Sequence, residues 1–187
     1  MGINPVKQRA PRSEKISMTE KAPPLQPQTA FPALDPICGD FGIAIKRDGT
    51  WTYQGSPIGR LPLVKLFASV LRRVGDEYWL VTPVERGRIE VEDVPFIAVE
   101  LSAHGAGEAQ VLSFRTNLDE IVTLDADHPL WVRQGADTEG PQPYILVKPG
   151  LEARLVRSVF YHLVDLAVID AAGRTGVWSA GRFFPLD

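Results

Sequence analysis

Only one cysteine, Cys38, occurs in the 187 residues, which excludes an internal disulfide and any cysteine-rich zinc site. Histidine is almost as scarce: His104, His128 and His162 complete the set, so a three-histidine metal centre would need all of them to converge. No apolar run approaches the ~20 residues of a membrane span, and the N-terminus has no apolar signal core. A cytoplasmic location is therefore expected. A strong charge of either sign is also missing; the formal net charge of −3 gives no global attraction to long nucleic acid or to anionic lipid. The glycine-rich phosphate motifs are absent as well. Gly105-Ala106-Gly107 leads through Glu108-Ala109-Gln110 into a strand, without the third glycine and following helix of a dinucleotide loop. Neither a G-x-x-x-x-G-K-[ST] run nor a G-x-S-x-G elbow occurs. No cofactor and no metal are expected.

What is present is the composition of a globular protein, 44% hydrophobic and 23% charged, of a length suited to one ordinary domain or two small ones sharing a core. Seven of the 16 prolines lie in residues 1–36, which show little apolar periodicity and are expected to form an extended or disordered arm. Lys7, Arg9, Arg12, Lys15 and Lys21 outnumber Glu14 and Glu20, so the arm is basic and suited to an acidic partner.

The globular part opens with a hairpin. Phe41, Ile43 and Ile45 alternate with Gly42, Ala44 and Lys46, Asp48-Gly49 supplies the turn, and Trp51 and Tyr53 continue on the return strand. Past Gly55-Ser56-Pro57 a helix is predicted, with Pro62 in its first turn and Leu63, Leu66, Phe67, Val70, Leu71 and Val74 at helical spacing. Arg72 and Arg73 suit its negative end, and Gly75 is the expected C-cap. Short strands follow at Tyr78–Thr82, Ile89–Glu92, Pro95–Leu101, Val111–Thr116, Ile121–Leu124 and Leu130–Arg133, mostly antiparallel. A polar loop, 134–142, precedes a strand at Tyr144–Lys148, a Pro149-Gly150 turn, a second helix over Leu151–Ala167 and a closing hairpin.

Two echoes suggest internal duplication. Leu63-Val64-Lys65 matches Leu155-Val156-Arg157 at an offset of 92 residues, which pairs the two predicted helices. Thr82-Pro83-Val84-Glu85 with Asp93-Val94-Pro95-Phe96 matches Thr116-Asn117-Leu118-Asp119 with Asp127-His128-Pro129-Leu130 at an offset of 34. The second echo reads either as two similar β-turns or as a repeated binding feature. The predicted organisation is an arm (1–36), an N-terminal α+β half (37–104) and a C-terminal α+β half (105–187).

Among residues that carry chemistry, Asp125, Asp127 and His128 fit no standard zinc spacing, and Glu90 and Glu92 share a strand face rather than an acid/base geometry. Cys38 could be paired with His128 or His162 as a nucleophile, but a lone cysteine beside Ile37 and Gly39 reads as a small buried residue. Aromatics Trp51, Tyr53, Trp79, Trp131, Tyr144, Tyr161 and Trp178 accompany Arg60, Arg115, Lys148, Arg154 and Arg157, a mixture able to stack a base and hold a phosphate. Arg60, just ahead of a helix N-terminus, is the best anion contact.

Several motifs together resemble a bacterial family of unknown function, domain-of-unknown-function family 1285 (DUF1285). They are Cys38-Gly39-Asp40, Asp48-Gly49-Thr50-Trp51, Tyr53-x-Gly55-Ser56-Pro57-Ile58, Leu80-Val81-Thr82-Pro83-Val84-Glu85, Val91-Glu92-Asp93-Val94-Pro95-Phe96, Thr116-Asn117, Pro143-Tyr144, Leu151-Glu152-Ala153 and Gly176-Val177-Trp178-Ser179. The likeness runs from about Cys38 to Leu186. It implies repeated α+β motifs, a C-terminal half similar to pleckstrin-homology modules, a ligand site between the halves and a regulatory or signalling role. The residues assigned to that site are Arg60, Thr82, Glu85, Asp93, Thr116 and Asn117, with Arg115 and His128 beside them. Lys148 stands where the family's arginine is expected, which weakens bidentate anion binding there. The reading that follows is a non-enzymatic protein binding a small anionic, nucleotide-like ligand. The alternatives are a protein-interaction adaptor with no small-molecule site, and an unrecognised hydrolase using His128 and nearby carboxylates.

Overall fold

Alternating apolar residues dominate the chain, and strands accordingly dominate the computed structural model, which describes residues 1–2, 37–134 and 140–186. Residues 3–36 of the expected arm and 135–139 of the expected 134–142 loop lie outside the described residues. The first sheet is built from β1 (Ile37–Ile45), β2 (Trp51–Tyr53), β3 (Ser56–Pro57), β4 (Leu71–Val74), β5 (Glu77–Val81) and β6 (Glu85–Val91), in the spatial order β3-β2-β1-β6-β5-β4. Helix α1 (Leu61–Ser69) connects β3 to β4. The second sheet comprises β7 (Phe96–His104), β8 (Val111–Thr116), β9 (Ile121–Thr123), β10 (Leu130–Gln134), β11 (Pro141–Lys148) and β12 (Leu151–Leu155), in the order β10-β11-β12-β7-β8-β9. Helix α2 (Arg157–Asp165) follows, and β13 (Val168–Ile169), β14 (Thr175–Ser179) and β15 (Arg182–Pro185) form a small closing sheet.

Read from its other edge, the second sheet is the first with every strand number raised by six. In both, two three-strand antiparallel meanders meet at a central parallel pair, β1 with β6 and β7 with β12. The chain is thus α+β with two similar halves, as expected, although the pairing at the middle of each sheet is parallel. The change of sheet falls between Val91 and Phe96: β7, which the sequence reading put in the first half, pairs with β8 and β12.

The helices do not obey the repeat. α1 lies between the third and fourth strands of its sheet, whereas α2 comes after the sixth. The 92-residue offset therefore aligned two helices that occupy different places. The 34-residue echo likewise relates the β5–β6 turn to the β8–β9 turn, and these are not counterparts in the strand order.

Both helices are also shorter than predicted, for one reason. Val70-Leu71-Arg72-Arg73-Val74 satisfies helical spacing, but Leu71 and Arg73 also alternate with Arg72 and Val74, and pairing with β5 (Leu71 to Leu80, Arg73 to Tyr78) takes the segment as β4. Leu71 is fully buried there, Leu66 is 60% exposed, and Gly75, at φ 61°, opens the β4–β5 turn instead of capping a helix. Likewise Leu151–Leu155 forms β12, with Leu151, Ala153 and Leu155 buried between β11 and the parallel β7. Leu151-Glu152-Ala153-Arg154-Leu155 alternates as a strand does, but its leucines at i and i+4 also fit the helical period, and over five residues the two cannot be told apart. The helical period is real from Val156 onward, where α2 buries Val159 and Leu163.

One buried core serves both sheets, with Ile45, Leu71 and Leu80 in the first and Phe96, Leu112, Phe114 and Ile145 in the second. Asn117 ties the halves together. Its Oδ1 accepts the Ile97 N–H (3.1 Å), its Nδ2 donates to the Gly49 carbonyl (3.4 Å), and its own N–H donates to the Ile97 carbonyl (2.8 Å). Gly49 is required at this contact: it sits at φ 85°, and a Cβ there would lie 2.7 Å from Ile97 Cγ1 and 2.8 Å from Asn117 Nδ2. Gly49→Ala combines a left-handed backbone with overpacking and is expected to lower stability by about 2–4 kcal/mol, read from the urea midpoint. An unchanged midpoint would show that the junction yields freely.

Candidate ligand cavity

Three local features open a space between α1 and the first sheet. The register of β1 against β6 slips between Asp40 and Ala44, where Gly42 takes φ 63° and its N–H donates to Asp40 Oδ1 at 2.8 Å. Beside this bulge the Phe41 ring lies over Gly87 of β6, so close that a Cβ at Gly87 would stand 2.4 Å from it. The third feature is α1 itself, which carries two apolar stripes. Val64 and Ala68 are buried, while Leu63, Phe67 and Val70, at i, i+4 and i+7, turn to an adjoining side and remain half-buried. Phe67 stacks on the buried Trp51 with 6.4 Å between ring centroids.

The resulting cavity has a volume of about 630 Å³. Phe41, Ile43 and Leu80 form its floor, Leu63, Phe67 and Val70 its helical wall, and Tyr53, Ser56, Pro57 and Ile58 one side. Thr82 and Glu85 close the other end. The Thr82 hydroxyl is already used in the β5–β6 turn, donating to the Glu85 carbonyl (2.9 Å) and accepting the Glu85 N–H (3.1 Å). The Glu85 carboxylate has no hydrogen-bond or ion-pair partner among the described residues.

The other residues assigned to a seam site are placed elsewhere. Arg60 is the exposed N-cap residue of α1; its carbonyl accepts the N–H groups of Leu63 and Val64, and it is not part of the cavity lining. Asp93 accepts from the Tyr144 hydroxyl (3.1 Å) and pairs with Arg154 Nε (2.9 Å). Arg115 donates to Glu100 (2.7 Å) and Asp119 (3.3 Å), and both hold its pKa above the ordinary guanidinium value. Lys65, at 2.7 Å, is the main cause of the lowered pKa of Asp119. Thr116 is 1% exposed, its hydroxyl oxygen accepting the Leu118 and Glu120 N–H groups that close the β8–β9 turn. Asn117 is the junction staple, and His128 donates its backbone N–H to Asp125 and its Nδ1–H to the Leu146 carbonyl (3.0 Å). Thr82 and Glu85 therefore come together at one cavity, and Thr116 faces no cleft with them. Lys148 is paired with Glu120 at 2.8 Å.

The aromatic and basic residues do not gather at one place: Tyr53 lines the α1 cavity, Tyr161, Arg154 and Arg157 line a separate pocket of about 290 Å³, and Arg133 and Tyr144 pack together. Arg133 lies 4.4 Å from the Tyr144 ring centre and reaches Glu152, which is 8% exposed and also faces Arg73 across the junction at 3.8 Å. Among the described residues, no three His, Cys, Asp or Glu side chains gather as a metal site. What sequence reasoning missed is the apolar lining. The available signal was the second stripe on α1, Leu63-Phe67-Val70, beyond what Val64 and Ala68 need for the core.

Burial of Tyr78 and Tyr144 raises both phenol pKa values, aided at Tyr144 by the neighbouring Asp93 carboxylate. A tyrosine with a raised folded pKa contributes stability that is complete below the unfolded value of about 10 and is lost as the pH climbs through the folded value. Phenolate absorbance should therefore show two of the four tyrosines ionising late, together with unfolding. Four tyrosines titrating together near 10 in the folded protein would contradict it.

Residues 34–94 match a family described as "Domain of unknown function (DUF1285), N-terminal domain", and residues 95–186 match "Protein of unknown function (DUF1285), C-terminal domain". The boundary between them coincides with the change of sheet. The fold is similar to the crystal structure of a DUF1285 family protein from Silicibacter pomeroyi, with TM-score 0.76 and 45% identity over 81% of this chain and 83% of that one. It is also similar to a DUF1285 family protein from Shewanella baltica, with TM-score 0.54 and 29% identity over 66% of this chain and 91% of that one. No curated protein matches the chain. With both halves matched in sequence and the paired six-strand sheets matched in three dimensions, the chain belongs to the DUF1285 family.

Proposed function

We propose that the chain is a regulatory ligand-binding protein whose site is the cavity between α1 and the first sheet. The observation that carries this reading is the cavity's size and lining: about 630 Å³, walled mostly by apolar side chains drawn from β1, β2, β5 and α1. Small-molecule sites usually occupy about 300–1,000 Å³ and combine an apolar wall with a few polar groups. Here those groups are Tyr53, Ser56, Thr82 and Glu85. A binding role is supported by the Thr82 hydroxyl being committed to the Glu85 backbone, and among the described residues the lining shows no nucleophile paired with a base. This reading places the ligand site in the α1 cavity instead of the seam; it keeps the binding role expected from the sequence but not the anionic ligand, because among the described residues the lining carries Glu85 and no basic side chain. At the seam, the polar atoms of Asp93 and Asn117 are occupied in holding the junction together, and the Thr116 hydroxyl is occupied in closing the β8–β9 turn.

The test uses N-phenyl-1-naphthylamine, a neutral probe that fluoresces in apolar surroundings. It should bind the native protein and raise its thermal stability according to RT ln(1 + [L]/Kd), about 2.7 kcal/mol at a hundredfold excess over Kd. Leu63→Trp, which places a larger ring in the half-buried wall, should weaken the probe by about tenfold or more, or about 1.4 kcal/mol, with little change in the urea midpoint. Absence of probe fluorescence with the native protein, or unaltered binding to Leu63→Trp, would rule out this site.

A further inference from the structure

We infer that the cavity selects an amphiphile with an apolar body and a cationic, hydrogen-bond-donating head group that rests against the Glu85 carboxylate. The inference deepens the cavity reading and rests on it. Its starting point is a break in pattern along β6. Alternation places Glu85, Gly87 and Ile89 on one face of the sheet and Arg86, Arg88 and Glu90 on the other. Ile89 is 4% exposed and Gly87 is covered by Phe41, so this is the face that meets the core and the cavity. At its end, where the pattern calls for another apolar residue, stands a carboxylate.

That carboxylate makes no bond within the fold among the described residues, although carboxylates on neighbouring elements do. Glu92 is held by Lys46 (2.9 Å) and the Arg47 N–H (2.8 Å), and Glu77 by Arg88 (3.1 Å). Nor, among the described residues, does the cavity contain a countercharge, since no lysine, arginine or histidine of theirs lines it. An anionic head group would meet like charge at Glu85 with nothing to offset it. An ammonium or amidinium group would instead gain a charge-assisted hydrogen bond at an exposed rim, without being drawn out of water. Glu85 is thus assigned as the residue that sets head-group specificity, while Phe41, Leu63, Phe67 and Val70 receive the apolar body.

Decylamine and decanoate, identical in chain and opposite in charge, separate the two parts of the idea. Each is titrated below its micelle-forming concentration, at neutral pH and low salt, against protein carrying N-phenyl-1-naphthylamine. The amine should displace the probe at a three- to fivefold lower concentration than the carboxylate, the range of an exposed ion pair, and the preference should shrink in 1 M salt. Glu85→Gln should bring the two curves together, and Glu85→Lys should reverse their order. Neither change removes a bond of the fold, so both variants should keep the native urea midpoint. Equal displacement by both amphiphiles, or a preference that survives Glu85→Gln, overturns the head-group assignment while leaving the cavity in place. Probe binding that neither amphiphile disturbs removes the amphiphile class. Failure of the probe itself to bind removes the cavity reading and this inference with it.

Discussion

The parallel pair at the middle of each sheet governs the rest of the architecture. Antiparallel neighbours can be joined by a tight turn, whereas a strand that pairs in parallel with an earlier one must be reached by a longer return. In the first half that return, between β3 and β4, carries α1 across the sheet; in the second, the residues between β9 and β10 make it without a helix. α2 lies beyond the repeat and seats Val159 and Leu163 in the core beside β7 and β14. The same strand plan thus carries a helix inside the repeat in one half and after it in the other. The cavity is a product of that asymmetry.

The junction between the halves shows why polar motif residues can be structural. Asn117 spends its amide on Ile97 and Gly49, and Asp93 receives Tyr144 and Arg154. Glu152 is nearly buried and faces two arginines. A carboxylate taken so far out of water has to be paired, and removing its partners costs more than the pair itself contributes. The consequence is a seam fixed by direction-dependent contacts, with little freedom to open around a ligand.

Much of this was legible in the sequence. The Asp48-Gly49 hairpin, the run of short strands, one helix per half and the family likeness all depend on local patterns that the structure retains. Helix lengths were not legible, because Val70–Val74 and Leu151–Leu155 fit two periods and only their partners β5, β11 and β7 decide between them. Of the eight residues assigned to a site from the sequence, two line the candidate cavity. Thr82 and Glu85 do reach one cavity, but nothing local distinguishes a threonine that offers its hydroxyl outward from one that closes a turn with it, as Thr82 and Thr116 do. The cavity depends on how far α1 stands from the sheet, a quantity that no single segment encodes.

The strand order also bears on self-association. An open sheet invites another strand wherever its edge is long and its backbone groups are free. The first sheet ends on one side in β3, which is two residues long and includes Pro57, a residue with no N–H to offer. On the other side it ends in β4, where Arg72 and Arg73 put two positive charges on a four-residue strand. The half that holds the cavity is therefore poorly suited to templating a growing ribbon, and its exposed apolar wall can persist without the sheet beneath it becoming a seed for aggregation.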